Sequence, residues 1–375
     1  MLDACGAGAL PDASDYGDEG SNTLAHLAEH LGGLELPHLQ ALGLGSALAL
    51  TGLPPAATPA LHGRLHALGA GKDSTAGHWE LMGLVAEQRP PVYPQGFPEP
   101  VIALVRQVSG RQVLCNRPSN GLEAIEQFGA EARATGGLIV YTSQDSVLQV
   151  AAHVDTVTCD ELYAICAEVR RDLPAEHPVG RVIARPFAGR DGDFARTDGR
   201  RDFALAPPRP SYLDALQAAG VPTHAVGKVG QLFAGVGIDV QHPGATNARA
   251  LDETGRLIDE LDAGFVFTNL IETDQLYGHR HDFVGFAGAL EDIDAALGDW
   301  LGRLRAGDLL VLTADHGCDL TSPRTDHTRE HAPLLARFAG HRGRRHYGPL
   351  SDVGASVLDW LAGGQAPELP GHSFL

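Results

Sequence analysis

The chain has 375 residues, 43% apolar and 20% charged, and 28 Lys and Arg against 47 Asp and Glu give a formal net charge of −19. That length can bury a large core and exceeds one typical domain, and the apolar content is too high for a disordered protein. So acidic a balance argues against a nucleic-acid or anionic-membrane partner, because both require a basic footprint.

Taken in chain order, the Ala/Leu-rich stretch from Leu39 to Ala57, punctuated by Gly and Pro, predicts a helix followed by a loop. Gly71-Lys72-Asp73-Ser74-Thr75 predicts a loop that leads into a helix. Proline-rich crossings follow at 90–100 and 207–210. With α/β patterning on both sides, they suggest an inserted domain at 93–206 within a discontinuous core of 1–92 and 207–375. The short apolar runs Leu138–Thr142, Phe265–Leu270 and Leu309–Thr313 predict buried strands. Between the last two, Leu290, Ile293, Leu297, Trp300, Leu301 and Leu304 recur at helical spacing. Strand, helix, strand is the pattern of a parallel α/β sheet. The five cysteines, Cys5, Cys115, Cys159, Cys166 and Cys318, include no C-x-x-C pair. They fit free thiols in a reducing compartment, and with no secretory or bilayer-spanning pattern the expected location is the cytoplasm.

The chemistry-bearing residues cluster after predicted strands. Asp315-His316 directly follows one strand, and Asp274 and His279 follow another. Open α/β folds place their sites at this carboxyl edge of the sheet. His327, in Thr-Asp-His-Thr-Arg-Glu, and Asp3 extend the set. Singly, such an Asp is more often a helix cap and such a His more often a surface or hydrogen-bonded residue. Three Asp and three His after successive strands point instead to metal binding, and mixed carboxylate and imidazole ligands suit Mn, Zn or Fe. Two adjacent ions can clamp a transferring phosphoryl group. Ser74 is the candidate nucleophile, since metal coordination is one way to activate a serine hydroxyl. A helix-capping role for Ser74 or Thr75 is the alternative.

Several segments carry a family resemblance: 3–13 around Asp-Ala-Cys-Gly-Ala-Gly, Gly-Lys-Asp-Ser at 71–74, Gly-His-Trp-Glu at 77–80 and Tyr-Thr-Ser-Gln-Asp-Ser-Val at 141–147. They continue with Gly-Arg-Val-Ile-Ala-Arg-Pro at 180–186, Leu-Tyr-Gly-His-Arg at 276–280, Thr-Ala-Asp-His-Gly at 313–317 and Thr-Asp-His-Thr-Arg-Glu at 325–330. With these, the sequence resembles the phosphopentomutases of the alkaline phosphatase superfamily over almost its whole length.

The resemblance implies an alkaline-phosphatase-like α/β core, its central mostly parallel sheet flanked by helices, with an inserted α/β cap. It implies two manganese ions, one held by Asp274, His279 and His327 and the other by Asp3, Asp315 and His316, bridged by the phospho-acceptor Ser74. Ser143, Asp145, Val147, Arg181, Ile183 and Arg196 of the cap, with Lys228 of the core, would face the substrate. The implied reaction interconverts ribose or 2-deoxyribose 1- and 5-phosphates through a phosphoserine and a 1,5-bisphosphate, in nucleoside salvage and catabolism. Glucose 1,6-bisphosphate or ribose 1,5-bisphosphate would prime it, and no protein partner is implied. A phosphohydrolase of the same superfamily, or an inactive sugar-phosphate-binding relative, are the alternatives. Three positions depart from the pattern: Ser74 stands for Thr, Asn22 for Asp, and only Met1 and Leu2 precede Asp3, where a full strand is implied and a stub is expected.

Overall fold

The computed structural model of the chain describes every residue except positions 90, 143–145, 175, 341–342 and 365. Contacts divide the chain into two units, Met1–Gln88 with Pro207–Leu375, and Arg89–Ala206. In chain order the strands are β1 (Leu61–His66), then β2 (Val113–Pro118), β3 (Leu138–Thr142), β4 (Val147–His153), β5 (Arg181–Ala188), β6 (Ala195–Arg196) and β7 (Arg201–Ala204) of the inserted unit. The first unit resumes with β8 (Thr223–Val226), β9 (Val240–His242), β10 (Phe265–Thr268), β11 (Leu310–Thr313), β12 (Ala332–Arg337) and β13 (Arg345–Pro349).

The inserted unit is a mixed sheet in the order β2-β3-β4-β5-β6, with β7 also on β5. Its sequence alternates accordingly. Leu138 and Val140 face helices Glu99–Ser109 and Cys159–Asp172, while Ile139 and Tyr141 face helix Gly121–Thr135. Burial on both faces explains why this strand is a continuous apolar run rather than an alternating one.

The first unit carries two sheets, a four-stranded one ordered β11-β12-β1-β13 and a three-stranded one ordered β10-β8-β9. Parallel pairing runs through β10-β8-β9 and β1-β13, whereas β12 is antiparallel to both its neighbours. The fold is α/β with mixed sheets flanked by helices. The helical periodicity before β11 belongs to helix Phe283–Arg303, with Leu290, Ile293, Leu297 and Trp300 buried. The Ala/Leu-rich stretch contains helices Pro37–Leu42 and Leu44–Ala47 before its loop. Among the described residues no helix is long and apolar enough to cross a membrane.

At the start of the chain Leu2 bridges Leu270 in parallel, and its N–H donates to the Thr313 carbonyl at 2.8 Å. The stub thus touches both sheets and delivers Asp3 to their shared end. Regular pairing of β10 stops at Thr268, two residues short of the apolar run, and Leu270 continues the edge through this bridge.

Candidate metal centre

Six of the predicted ligands converge. Asp3 follows the stub, Asp315 and His316 follow β11, and His327 lies just before β12. Asp274 sits in a π-helical turn, Thr273–Tyr277, and His279 in the 3₁₀ turn Gly278–Arg280. Asp3, Asp315 and His316 bring their ligand atoms within 4.8 Å of one another, and so do Asp274, His316 and His327. Asp274 and His279 form a further trio with Cys318, whose thiol is a neighbour that sequence reasoning passed over. The two groups meet at His316, whose ring centroid is 4.1 Å from that of His327.

Hydrogen bonding fixes which nitrogens face inward. His279 Nδ1 donates to the Thr325 carbonyl at 2.7 Å and His316 Nδ1 to the Gly317 carbonyl at 3.1 Å. In the neutral ring this leaves each Nε2 as an acceptor. His279 Nε2 lies 3.4 Å from Asp274 Oδ1, and His316 Nε2 lies 3.5 Å from Asp3 Oδ1 and 3.3 Å from Asp315 Oδ2. Acceptors therefore face acceptors. Both oxygens of Asp3 and Oδ1 of Asp274 are buried and accept no hydrogen bond of normal geometry. Buried carboxylates left in this state are strongly unfavourable unless paired or bound to metal.

The titration pattern agrees. Burial raises Asp3 well above the usual carboxylate range, and the charges of Asp315 and Asp274 push it further. Burial also pushes Asp274 and Asp315 up, but His327, His316 and His279 together outweigh it at the first, and His316 with His78 at the second, so both sit low. The protein's own cations stabilise two carboxylates and not the third. A hard oxygen and imidazole donor set with an unmet demand for positive charge fits one or two divalent ions.

Ser74 begins helix Ser74–Leu81, whose N-cap is Asp73, accepting from the Thr75 and Ala76 amides at 2.9 and 3.1 Å. The cap role belongs to Asp73, which leaves the Ser74 hydroxyl 3.1 Å from His316 Nε2. His78 is fully buried one turn on and couples the helix to the ligands, its Nδ1 donating to the Ser74 carbonyl at 2.7 Å and lying 3.1 Å from Asp315 Oδ2. The approach depends on Gly77, where a Cβ would lie 2.5 Å from the Asp315 carbonyl oxygen. Lys72 ties the same loop to the His327 segment, donating to the His327 carbonyl at 2.6 Å and pairing with Asp18 and Asp326, each at 3.0 Å. Lys228 directly precedes helix Val229–Leu232, and its ammonium donates to Gln275, the neighbour of Asp274, at 3.0 Å. Asn22 donates its backbone N–H to Asp319 at 2.8 Å and makes no side-chain cap to helix Thr23–Leu31.

In the inserted unit, Ser143 and Asp145 lie outside the described residues. Val147 and Ile183 are buried, on β4 and β5. Arg181, Ile183 and Arg185 share one face of β5. Arg185 and Arg200 are additions to the sequence-derived set. Burial lowers the Arg185 guanidinium, and Arg200 and Arg196 lower it further, so the cations crowd one another beside Tyr141. Asp202 offsets part of this charge through Arg200 at 2.7 Å and Arg181 at 3.6 Å. The remainder suits a phosphate.

Two outcomes follow from the centre's charge and packing. Asp3→Asn is expected to raise the unfolding free energy of the metal-free protein by roughly 1–3 kcal/mol, since it removes a buried unpaired acid. The same change should weaken Mn²⁺ binding at least about tenfold, with denaturation of the chelated protein and calorimetric titration as the checks. Gly77→Ala must displace the helix from Asp315 and should lower turnover about a hundredfold or more, measured against Gly288→Ala, a helical glycine whose added Cβ would meet nothing within 4 Å.

The metalloenzyme superfamily model matches residues 1–363. A phosphopentomutase from Anaeromyxobacter dehalogenans strain 2CP-1 is 49% identical over 96% of this chain and 94% of its own length. One from Caldanaerobacter subterraneus subsp. tengcongensis is 44% identical over 100% of this chain and 96% of its own. Among solved structures, the PH0037 protein of Pyrococcus horikoshii aligns with a TM-score of 0.50 at 14% identity, over 98% of this chain and 96% of its own, a likeness of fold alone. With a metal-ligand constellation at the sheet ends and near-complete alignment to these relatives, the chain belongs to the phosphopentomutase family of isomerases, within the alkaline-phosphatase-like metalloenzymes.

Proposed function

We propose that this chain interconverts the 1- and 5-phosphates of ribose or 2-deoxyribose through phospho-Ser74 and a pentose 1,5-bisphosphate, in nucleoside salvage and catabolism. The observation that carries the reading is the Ser74 hydroxyl at 3.1 Å from His316, the residue shared by the two ligand groups. Asp274, His279 and His327 would hold one Mn²⁺, and Asp3, Asp315 and His316 the other. Bound there, paired divalent ions supply charge for the acceptor oxygen and for the equatorial oxygens of the phosphoryl group in transfer.

The chain's own residues do the rest. Asp73 holds the first helical amides, so Ser74 enters its helix with the hydroxyl turned to the ligands. Among the described residues no corresponding contact involves the Thr75 hydroxyl, which favours Ser74 as the acceptor. Lys72 and His78 hold the Ser74 loop against the His327 and Asp315 segments, so little reorganisation is needed at transfer. Arg181 and Arg196, with Arg185 and Arg200, would grip the phosphate not being transferred, and Lys228 would neutralise substrate charge. Ser143, Asp145, Val147 and Ile183 are proposed to complete the sugar contacts. A 1,5-bisphosphate, or glucose 1,6-bisphosphate, would prime the enzyme by donating its phosphoryl group to Ser74. Cytoplasmic residence fits the five free cysteines.

Incubated with Mn²⁺, a bisphosphate primer and ribose 5-phosphate, the protein should form ribose 1-phosphate, and mass spectrometry should find phosphate on Ser74. Ser74→Ala should cut turnover at least about a thousandfold. Release of inorganic phosphate without ribose 1-phosphate would instead establish a phosphohydrolase, and phosphate on Thr75 would refute the acceptor.

A further inference from the structure

Among the described residues only two side chains have a pair of polar atoms buried without a hydrogen-bond partner, Asp3 with both carboxylate oxygens and Asn269 with both Oδ1 and Nδ2. They are neighbours. Leu2 bridges Leu270 in parallel and the Asp3 N–H donates to the Leu270 carbonyl at 3.3 Å, so alternation puts Asp3 and Asn269 on the same face of that pairing. Asn269 is 1% exposed and Asp3 is fully buried. An amide enclosed in this way is unfavourable unless some group of the working protein meets it.

The Asn269 backbone is committed on the β8 side. Its N–H donates to the Val226 carbonyl at 3.1 Å, and its carbonyl packs against the turn at Gly227, where a Cβ would lie 2.8 Å from the oxygen. That leaves only the side chain to face Asp3. Three other donors of this neighbourhood are engaged elsewhere. The Thr273 hydroxyl lies 2.6 Å from the Asp3 backbone carbonyl and 3.2 Å from that of Leu270, the Ala4 N–H donates to Asp315 Oδ1 at 3.3 Å, and the Lys228 ammonium donates to Gln275 at 3.0 Å. Asp3 Oδ1 faces His316 Nε2 at 3.5 Å, within the ligand trio that includes Asp315. A carboxylate that gives one oxygen to a cation needs a donor for the other. The electrostatics agree: burial raises the Asp3 carboxyl most, followed by Asp315 and Asp274, while the Asn269 amide and then the Lys228 ammonium lower it.

We infer that Asn269 is a positioning residue of the metal centre: its Nδ2–H donates to the Asp3 oxygen that does not take the cation, and so holds that carboxylate turned toward its ion. A carboxylate oxygen can only accept, so the amide presents Nδ2 to it rather than Oδ1. Both orphaned side chains gain a partner at once. The effect is confined to the ion held by Asp3, Asp315 and His316, because Asp274, His279 and His327 make up the other half of the centre. The inference rests on the two-cation reading of that centre, and it adds a residue that belongs to neither ligand set.

Calorimetric Mn²⁺ titration of the whole chain tests this with Asn269→Leu, an apolar residue of similar size, and with Asn269→Ala if the leucine variant does not fold. Either change should weaken the ion held by Asp3, Asp315 and His316 about tenfold or more while the other ion keeps its affinity. In an Asp3→Asn background the same substitution should cost no further affinity, because the amide acts through Asp3. Metal-free Asn269→Leu should melt at or above the parent temperature, since an orphaned amide is exchanged for apolar surface. An equal loss of affinity in both backgrounds, or unchanged affinity with a lower melting temperature, would overturn the inference in favour of a structural amide. Unchanged affinity with a raised KM for ribose 5-phosphate would overturn it in favour of a substrate contact. A parent chain that binds no Mn²⁺ would sink the two-cation reading itself, and the inference with it.

Discussion

Three buried carboxylates at one end of the sheets set the terms for the rest of the first unit. Asp3, Asp274 and Asp315 are each at most 7% exposed, yet they share a few ångströms of space with one another and with the imidazoles of His279, His316 and His327. Such a cluster is electrostatically incomplete. The imidazoles and His78 hold two of the acids ionised, while Asp3 is driven toward the neutral form. Divalent cations resolve this, and the arrangement makes little physical sense without them.

The surroundings hold that cluster together. Backbone carbonyls of Thr325 and Gly317 fix the ring orientations of His279 and His316. Lys72 binds two acids and a carbonyl on different segments, and Asp18 at its far end also accepts from Arg324 and the Arg329 amide. Glu330, fully enclosed, gathers the Gly8 and Thr23 amides and the Thr328 hydroxyl. These contacts are worth more as geometry than as stability. A nucleophile held within a few tenths of an ångström of its working position spends less of the transfer barrier on reorganisation. The strongly negative composition also reads differently at this scale, because three of the acids are gathered in one buried cluster of the first unit that calls for cations.

Much of this was legible in the sequence where chemistry follows periodicity. Asp315-His316 sits directly after a run of apolar residues, so a strand end and its candidate ligands could be read together. The proline-rich crossings stand close to the observed division at Gln88/Arg89 and Ala206/Pro207. What escaped depends on tertiary approach. Gly77 looks like any helical glycine until Asp315 is packed against it, and Asp73 rather than Ser74 proves to be the cap. Arg185 lies in the Gly-Arg-Val-Ile-Ala-Arg-Pro segment without having been singled out there, and Arg200 carries no motif; both gain meaning through the pairing of β5 with β7 and their closeness to Tyr141. The antiparallel orientation of β12 was equally hidden, since a short apolar run does not encode its direction.

The central claim is that six residues from five separate segments form a two-cation centre around Ser74. Anomalous diffraction from crystals soaked in Mn²⁺ tests it most directly. The account predicts two peaks roughly 3.5–4 Å apart, one among Asp274, His279 and His327 and one among Asp3, Asp315 and His316, with the Ser74 oxygen between them. A single peak, or manganese bound elsewhere with these carboxylates unliganded, would contradict it.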